Sequence, residues 1–120
     1  MLDWLEGTLR LPVIGSPMFI LSGPELVLAQ CRAGILGAFP ALNARPAEEL
    51  AGWLSRITEG LADSRKAEPG RRIAPFAVNL IVHPTNDRLE HDLALCAEFR
   101  VPLVITSLHA PDRVIERVHD

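Results

Sequence analysis

Polar side chains stand in or directly after two apolar segments that are typical of buried strands. Asn79 interrupts the apolar run 75–82, and Thr106 and Ser107 come at the end of the run that begins at residue 102. A buried amide without a hydrogen bond costs about 1–3 kcal/mol, so Asn79 either pairs with a neighbouring loop backbone or meets a polar edge of a ligand. The two hydroxyls either donate to a phosphate or ring oxygen, or cap the next helix.

A third apolar segment, residues 12–19, ends in Pro17, Met18 and Phe19. Proline and methionine offer a rigid, polarizable surface on which a flat aromatic ligand can lie. Ligands of α/β proteins bind at the carboxyl ends of strands, where these residues would stand. A loop from strand to helix has this composition without any ligand as well, so the segment alone does not identify a function.

The histidines and cysteines form no recognisable catalytic or metal-binding pattern. Only one of the four histidines follows a predicted strand at a site mouth, and neither a Cys-x-x-Cys pair nor a Cys/His ligand spacing occurs, so we predict no metal site. Both cysteines are interpreted as small buried hydrophobes in a reducing compartment. No G-x-G-x-x-G follows the first strand and no P-loop occurs, which disfavours both nucleotide sites. The histidine at the site mouth is His83. The remaining histidines and the two cysteines are His91, His109, His119, Cys31 and Cys96.

Length and composition fit one globular domain over residues 1–120, with 48% hydrophobic and 22% charged residues. The formal charge of −3 gives no basic surface for nucleic acid. Arg71 and Arg72, near Arg65 and Lys66, are interpreted as a solvated loop. The amino terminus lacks the pattern of a signal peptide, and no apolar run reaches the ~18 residues that a bilayer requires. We therefore expect a cytoplasmic protein without a membrane partner.

The hydrophobic pattern predicts the order β-α-β-α-β-α-β-α. Strands are predicted over residues 13–15, 35–39, 75–82 and 102–106. The first helix follows the capping box Ser22-x-x-Glu25, with Pro24 in its first turn and Gly34 as its stop. Pro46 opens the second helix, residues 86–99 form the third, and Pro111 starts the fourth. In the second helix an apolar stripe recurs with helical spacing, formed by Leu50, Trp53, Leu54, Ile57 and Leu61.

Strands that are apolar throughout indicate a parallel sheet covered on both faces. Four βα units fit either an open doubly wound sheet or half of a (β/α)₈ barrel, because a complete barrel has ~250 residues.

Three blocks of sequence closely resemble the amino-terminal half of the nitronate monooxygenases, formerly called 2-nitropropane dioxygenases. The blocks are LPVIGSPMFILSGPELVLAQCRAGILGAFPALNARPAEEL, APFAVNLIVH and VPLVITSL-x-AP. The resemblance implies the first four βα units of a (β/α)₈ TIM barrel with parallel strands, that is, a half barrel. It also implies that FMN binds at the carboxyl ends of the strands.

The resemblance also implies which residues bind FMN. Pro17, Met18 and Phe19 match the loop that contacts the isoalloxazine, and Asn79 matches the asparagine of the third strand that reaches the flavin. Thr106 and Ser107 match the end of the fourth strand, near the cofactor. The catalytic histidine of the family and its phosphate-binding glycine loops lie in the second half, so the catalytic residues of this chain are unknown. His109 stands where the family has a small residue.

The activity that the resemblance implies is the oxidation of an alkyl nitronate by molecular oxygen to a carbonyl compound and nitrite. Two alternatives remain open. One is an NAD(P)H-dependent quinone or enoyl-thioester reductase on the same flavin scaffold. The other is a non-catalytic half barrel that self-associates, because a half barrel exposes strand edges and an apolar interior. A homodimer is therefore a possible partner state.

Overall fold

Helices and strands alternate along residues 3–119, the part of the chain that the computed structural model describes. Five α-helices, one 3₁₀ turn and three strands occur there. In chain order they are α1 (Asp3–Glu6), α2 (Pro24–Arg32), β1 (Gly37–Pro40), the 3₁₀ turn (Ala41–Asn43), α3 (Glu49–Ala67), β2 (Phe76–Ile81), α4 (Leu89–Glu98), β3 (Leu103–Ser107) and α5 (Asp112–His119).

The three strands form one parallel sheet in the order β1-β2-β3. Pro40 of β1 pairs with Asn79 of β2, which pairs in turn with Ile105 of β3. The last three predicted strands are therefore confirmed, as is the parallel α/β class. Neighbouring strands follow one another along the chain, which is the order that successive βα units give in a barrel.

The prediction of a strand over residues 13–15 is wrong. The segment is reduced to one parallel bridge between Ile14 and Leu36. The Leu36 amide donates to the Val13 carbonyl at 3.0 Å, and the Gly15 amide donates to the Leu36 carbonyl at 2.7 Å. Pro12 and Pro17 flank the bridge and have no backbone N–H, which limits any extension of the ladder. The sheet thus has three strands and one bridge, and the half barrel stays a prediction.

Helix α2 begins one residue later than a capping box would require. Its N-cap is Gly23, with no side-chain capping bond, because the Ser22 hydroxyl accepts the Met18 amide at 2.8 Å instead. Pro24 occupies the first turn as predicted. The predicted stop is also confirmed: Gly34 has φ +88°, and its amide and that of Ile35 donate to the last turn of the helix. This is a Schellman motif, in which glycine avoids the strain of positive φ.

Helix α3 begins at Glu49, later than Pro46 predicts, because residues 46–48 form a turn with bonds from Glu49 to Pro46 and from Leu50 to Ala47. The predicted apolar stripe is confirmed. Four of its members are buried, and Trp53 packs against Phe39 with ring centroids 5.6 Å apart. The four are Leu50, Leu54, Ile57 and Leu61.

The two faces of the sheet are covered unequally. The helix-facing side carries the main core, in which Phe39, Val78 and Leu80 meet α2, α3 and α4. On the other side a small cluster of Leu36, Ala38 and Ala77 is packed by partly buried side chains from α1, the residues after it, and β3. We call this second side the inner face. Those side chains are Leu5, Leu9, Leu103 and Ile105.

Between Asp3 and His119, no helix has the length and apolar content required to cross a membrane.

Two glycine substitutions test the packing of α2 on the sheet. A Cβ at Gly37 would lie 2.7 Å from the Val27 carbonyl oxygen and 3.0 Å from the Cys31 sulfur. We expect Gly37→Ala to lower the free energy of unfolding by about 1–3 kcal/mol through overpacking. Gly52→Ala is the control, because Gly52 lies on the exposed side of α3 with nothing near its Cβ position. It should raise stability by about 0.5–1 kcal/mol. Urea unfolding of both variants measures the difference, and equal effects would contradict the close approach at Gly37.

Candidate ligand site at the carboxyl edge of the sheet

The loops that follow the bridge and the strands meet at the carboxyl edge of the sheet. The 3₁₀ turn follows β1 directly, and its last residue, Asn43, hydrogen-bonds the segment 18–22. The loop after β2 contacts the end of β3, since the Val82 amide donates to the Ser107 carbonyl at 2.9 Å. Every site residue predicted from the sequence therefore lies in β2, in β3 or in a loop at this edge.

Asn79 is almost fully buried on β2, with 8% of its surface exposed. Its Nδ2 donates to the Ile105 carbonyl at 3.0 Å and to the Ser107 hydroxyl at 3.1 Å. The amide therefore pairs with the neighbouring strand, which satisfies its donors. None of the described hydrogen bonds uses Oδ1, so that atom has capacity to accept one.

Thr106 and Ser107 point to opposite faces of β3, since successive side chains of a strand alternate. Leu103 and Ile105 belong to the inner face and Val104 packs into the main core. Ser107 therefore shares the inner face with Asn79, which it contacts, and Thr106 shares the helix-facing side with Val104. The structure brings Asn79 and Ser107 together and does not bring Thr106 to them.

Met18 and Phe19 lie in an exposed apolar loop after Pro17, with 39% and 57% of their surfaces accessible. The loop is closed by Ser22, whose amide donates to the Met18 carbonyl at 3.0 Å and whose hydroxyl accepts the Met18 amide. The guanidinium carbon of Arg45 lies 5.1 Å from the Phe19 ring centroid, a cation–π contact. Pro17 to Phe19 thus present an apolar surface on a loop whose backbone is fixed.

Asn43 is the residue that sequence reasoning missed in fixing this loop. Its Nδ2 donates to the Met18 and Ser22 carbonyls, both at 2.9 Å, and its Oδ1 accepts the Ile20 amide at 2.9 Å. Ile20 has φ +68°, a conformation that costs energy in a β-branched residue. The side chain of Asn43 therefore replaces the backbone partners that this loop lacks. In the sequence Asn43 signals a turn and nothing more.

Arg88 and Asp92 form a largely buried ion pair behind the carboxyl edge. Sequence reasoning missed this pair as well. Arg88 donates to the Ala44 carbonyl at 2.7 Å, to the Ala41 carbonyl at 3.1 Å and to Asp92 at 3.2 Å. Asp92 is 1% exposed and also contacts His91 Nδ1 at 2.9 Å. The two carbonyl bonds of Arg88 connect the start of α4 to the turn that carries Asn43, and Asp92 balances the charge of Arg88 from the same helix.

His83 and His109 both line a cleft of about 390 Å³, and their rings are in contact with centroids 5.0 Å apart. The Thr85 amide donates to His83 Nδ1 at 3.2 Å, and the Thr85 hydroxyl lies 2.7 Å from the same atom. His91 is exposed on α4 and His119 lies in α5. Within residues 3–119, no three His, Cys, Asp or Glu side chains are grouped as a metal site.

Both cysteines are buried free thiols away from the edge. Burial raises the pKa of the Cys31 thiol to about 11. Burial, with the charge of Asp92, raises the pKa of the Cys96 thiol to about 12. A nucleophilic cysteine needs a lowered pKa, so neither residue is suited to thiolate chemistry.

Comparisons with known proteins establish the fold and no family. No protein-family model matches the chain, and no curated protein shows a significant match. Among solved structures, the FabK (M276A) mutant from Thermotoga maritima is similar, with a TM-score of 0.72 and 22% sequence identity. The match covers 98% of this chain and 34% of the FabK chain. The chain therefore spans about a third of that protein, and its α/β fold with three parallel strands is similar to part of that TIM barrel.

The three hydrogen bonds of Asn43 give a local prediction. Asn43→Asp keeps an oxygen for the Ile20 amide and loses the Nδ2 bonds, whereas Asn43→Ala loses all of them. In hydrogen exchange, we expect the Ile20 amide to exchange much faster in Asn43→Ala than in Asn43→Asp, because only Ala removes its acceptor. Stability should fall by about 1–3 kcal/mol in Asn43→Ala. Equal exchange rates of Ile20 in both variants would show that Asn43 does not fix the loop.

The raised pKa of both thiols predicts a loss of stability in alkali. Above the ordinary thiol pKa of 9.0, the unfolded chain releases these protons and the folded chain keeps them. The free energy of unfolding therefore falls as pH rises from about 9 towards 11, by about 1 kcal/mol per thiol at pH 10. Urea unfolding at pH 8 and pH 10 should show a smaller decrease for the Cys31→Ala/Cys96→Ala variant. An unchanged decrease would mean that other groups cause it.

Proposed function

We propose that this chain belongs to a flavin-dependent oxidoreductase and binds FMN at the carboxyl edge of its sheet. The observation that carries the proposal is the similarity of 98% of the chain to FabK, which supports a flavin oxidoreductase scaffold. The carboxyl edge adds to it, since the apolar loop 17–19 stands at the same edge as the Asn79 and Ser107 pair.

The residues at this edge fit the isoalloxazine ring. Met18 and Phe19 are exposed on a backbone fixed by Asn43, which suits a flat aromatic group. Asn79 is held on β3 through its Nδ2 and has Oδ1 left to accept a ring N–H. We assign no residue of this chain to the FMN phosphate, because the resemblance places the phosphate-binding glycine loops in the second half of the barrel.

Bound FMN would supply the redox chemistry, and the protein would supply orientation and electrostatics. In this chain Asn79 and Ser107 would hold a hydrogen-bonding edge of the ring, and Met18 would cover an apolar face and exclude water from it. Both polar residues come from strands, which position them more firmly than a loop can. We assign no general base, because none of the four histidines matches the catalytic one of the resembled family.

The first candidate reaction is the oxidation of an alkyl nitronate by oxygen to a carbonyl compound and nitrite. It is supported by the three sequence blocks that resemble nitronate monooxygenases. The second candidate is a flavin-dependent reductase of an enoyl thioester, which the similarity to FabK partly supports. A quinone reductase of the same scaffold would also use NAD(P)H. The third candidate is a non-catalytic, self-associating chain, because the inner face carries only a small cluster of buried residues.

An absorption spectrum after incubation with FMN and gel filtration tests the proposal. Retained flavin in the protein peak would support it, and the elution volume would show whether the holding species is a dimer. Nitronate turnover with oxygen consumption, compared with NAD(P)H consumption on an enoyl thioester or a quinone, then separates the reactions. A colourless protein that remains folded would contradict FMN binding by this chain.

Substitutions at the edge distinguish two versions of the site. The resemblance includes both Thr106 and Ser107 in the FMN site, whereas the geometry puts only Ser107 beside Asn79. We expect Asn79→Ala to weaken FMN binding about tenfold, equivalent to about 1.4 kcal/mol. Thr106→Val should leave the dissociation constant within about twofold, because its side chain lies on the helix-facing side. Flavin fluorescence titration measures both. A tenfold loss in Thr106→Val at unchanged unfolding temperature would place Thr106 in the site.

A further inference from the structure

Four arginine side chains line one cleft at the opposite, amino edge of the sheet. Arg10 precedes the bridge at Ile14, Arg32 ends α2, and Arg71 and Arg72 lie in the loop before β2. With Ala33 they line an open cleft of about 300 Å³. We call this the arginine cleft. Because the strands begin here and end at the proposed flavin site, the two sites are at opposite edges.

The cleft is built from three separate segments that the fold holds together. The Arg10 amide donates to the Gly34 carbonyl at 2.7 Å, and a side chain at Gly34 would collide with that of Arg10. Arg72 donates to the Leu9 carbonyl at 3.1 Å, and Arg32 donates from Nε to the Ser64 hydroxyl at 2.8 Å. Two of the four guanidinium groups, those of Arg32 and Arg72, are therefore oriented before any ligand arrives, which lowers the entropy cost of binding.

Positive charge is concentrated here with little negative charge to balance it. The whole chain has a formal charge of −3, yet four of its 12 basic residues line this cleft. Among the ion pairs of residues 3–119, one involves the cleft, between Arg71 and the exposed Glu68 at 3.1 Å. Like charges brought together in a concave site repel one another, and a bound anion relieves that repulsion.

The ends of the helices explain only part of this charge. Cations are favourable near a helix C-terminus, and α2 and α3 carry Arg32, Arg65 and Lys66 in their last turns. Arg10, Arg71 and Arg72 lie in loops beside the C-terminus of α2, whose partial charge of about −0.5 balances less than one of them. Three loop arginines that converge on the end of α2 require another reason.

We propose that the arginine cleft binds a small ligand through a phosphate or diphosphate group. Guanidinium groups bind phosphate oxygens in pairs of parallel hydrogen bonds, and several of them favour a multiply charged anion over a carboxylate or chloride. A volume near 300 Å³ is at the small end of ligand sites, which fits a compact anionic group rather than a polymer. The site is independent of flavin binding.

Calorimetric titration of the full chain with sodium diphosphate at low salt tests the proposal. We expect saturable binding near one equivalent and a matching rise in unfolding temperature. Arg10→Gln and Arg71→Gln should each weaken it about tenfold at unchanged stability without ligand. Arg56→Gln is the matched control, because Arg56 is an exposed arginine of α3 paired with Glu25 at 2.8 Å. It removes the same charge and should change the dissociation constant less than about twofold.

The alternatives have distinct outcomes. If Arg56→Gln weakened diphosphate binding as much as the cleft variants do, the affinity would depend on net charge only. That result would contradict the proposed site. No saturable heat, with no rise in unfolding temperature, would overturn it too. Sodium sulfate at equal ionic strength separates recognition of phosphate from screening, since a specific site should bind diphosphate when sulfate is present. Because this titration contains no FMN, a failure to bind diphosphate would leave the proposed flavin function untouched.

Discussion

A parallel sheet must be covered on both faces, and this chain covers one face far better than the other. On the helix-facing side, α2 lies so close to β1 that only glycine fits at position 37. On the inner face the fully buried cluster consists of Leu36, Ala38 and Ala77. Large apolar side chains at the bridge and the carboxyl edge remain exposed, with Ile14 at 58% and Phe19 at 57%. Parallel sheets are stable when both faces are buried, so most of the packing that stabilises this sheet comes from the helix-facing side.

Side-chain amides and a guanidinium hold the carboxyl edge together where the strand ladders end. Once a strand stops, its neighbours' loops still carry carbonyl and amide groups that require partners. Asn43 supplies three hydrogen bonds to residues 18–22, and Asn86 donates to the Ile81 carbonyl at 2.8 Å. Arg88 supplies two more, to Ala41 and Ala44, while its charge is balanced by Asp92. The loops that carry the proposed flavin contacts are therefore ordered by polar side chains from other elements.

The predictions from the sequence were right for features that depend on local pattern. They were wrong or missing for features that depend on partners elsewhere in the chain. Apolar runs and helical spacing identified three strands and the buried stripe of α3, because burial imposes those periods directly. The strand at residues 13–15 failed, since prolines on both sides limit the ladder to one bridge. The capping box failed because Ser22 has a competing partner four residues earlier in Met18. Asn43 and Arg88 were missed because their partners lie up to 47 residues away.

The two edges of the sheet differ in charge for a reason that lies in the fold itself. Helices of βα units run opposite to the strands, so their C-termini and partial negative charges gather at the amino edge. Cations collect there, and the arginine cleft adds three loop arginines beyond what those helix ends can balance. The carboxyl edge instead offers amides, a hydroxyl and apolar surface, which suit an aromatic ring. If both proposals hold, a redox cofactor and a phosphate-bearing ligand bind at opposite edges of the same sheet, one strand length apart.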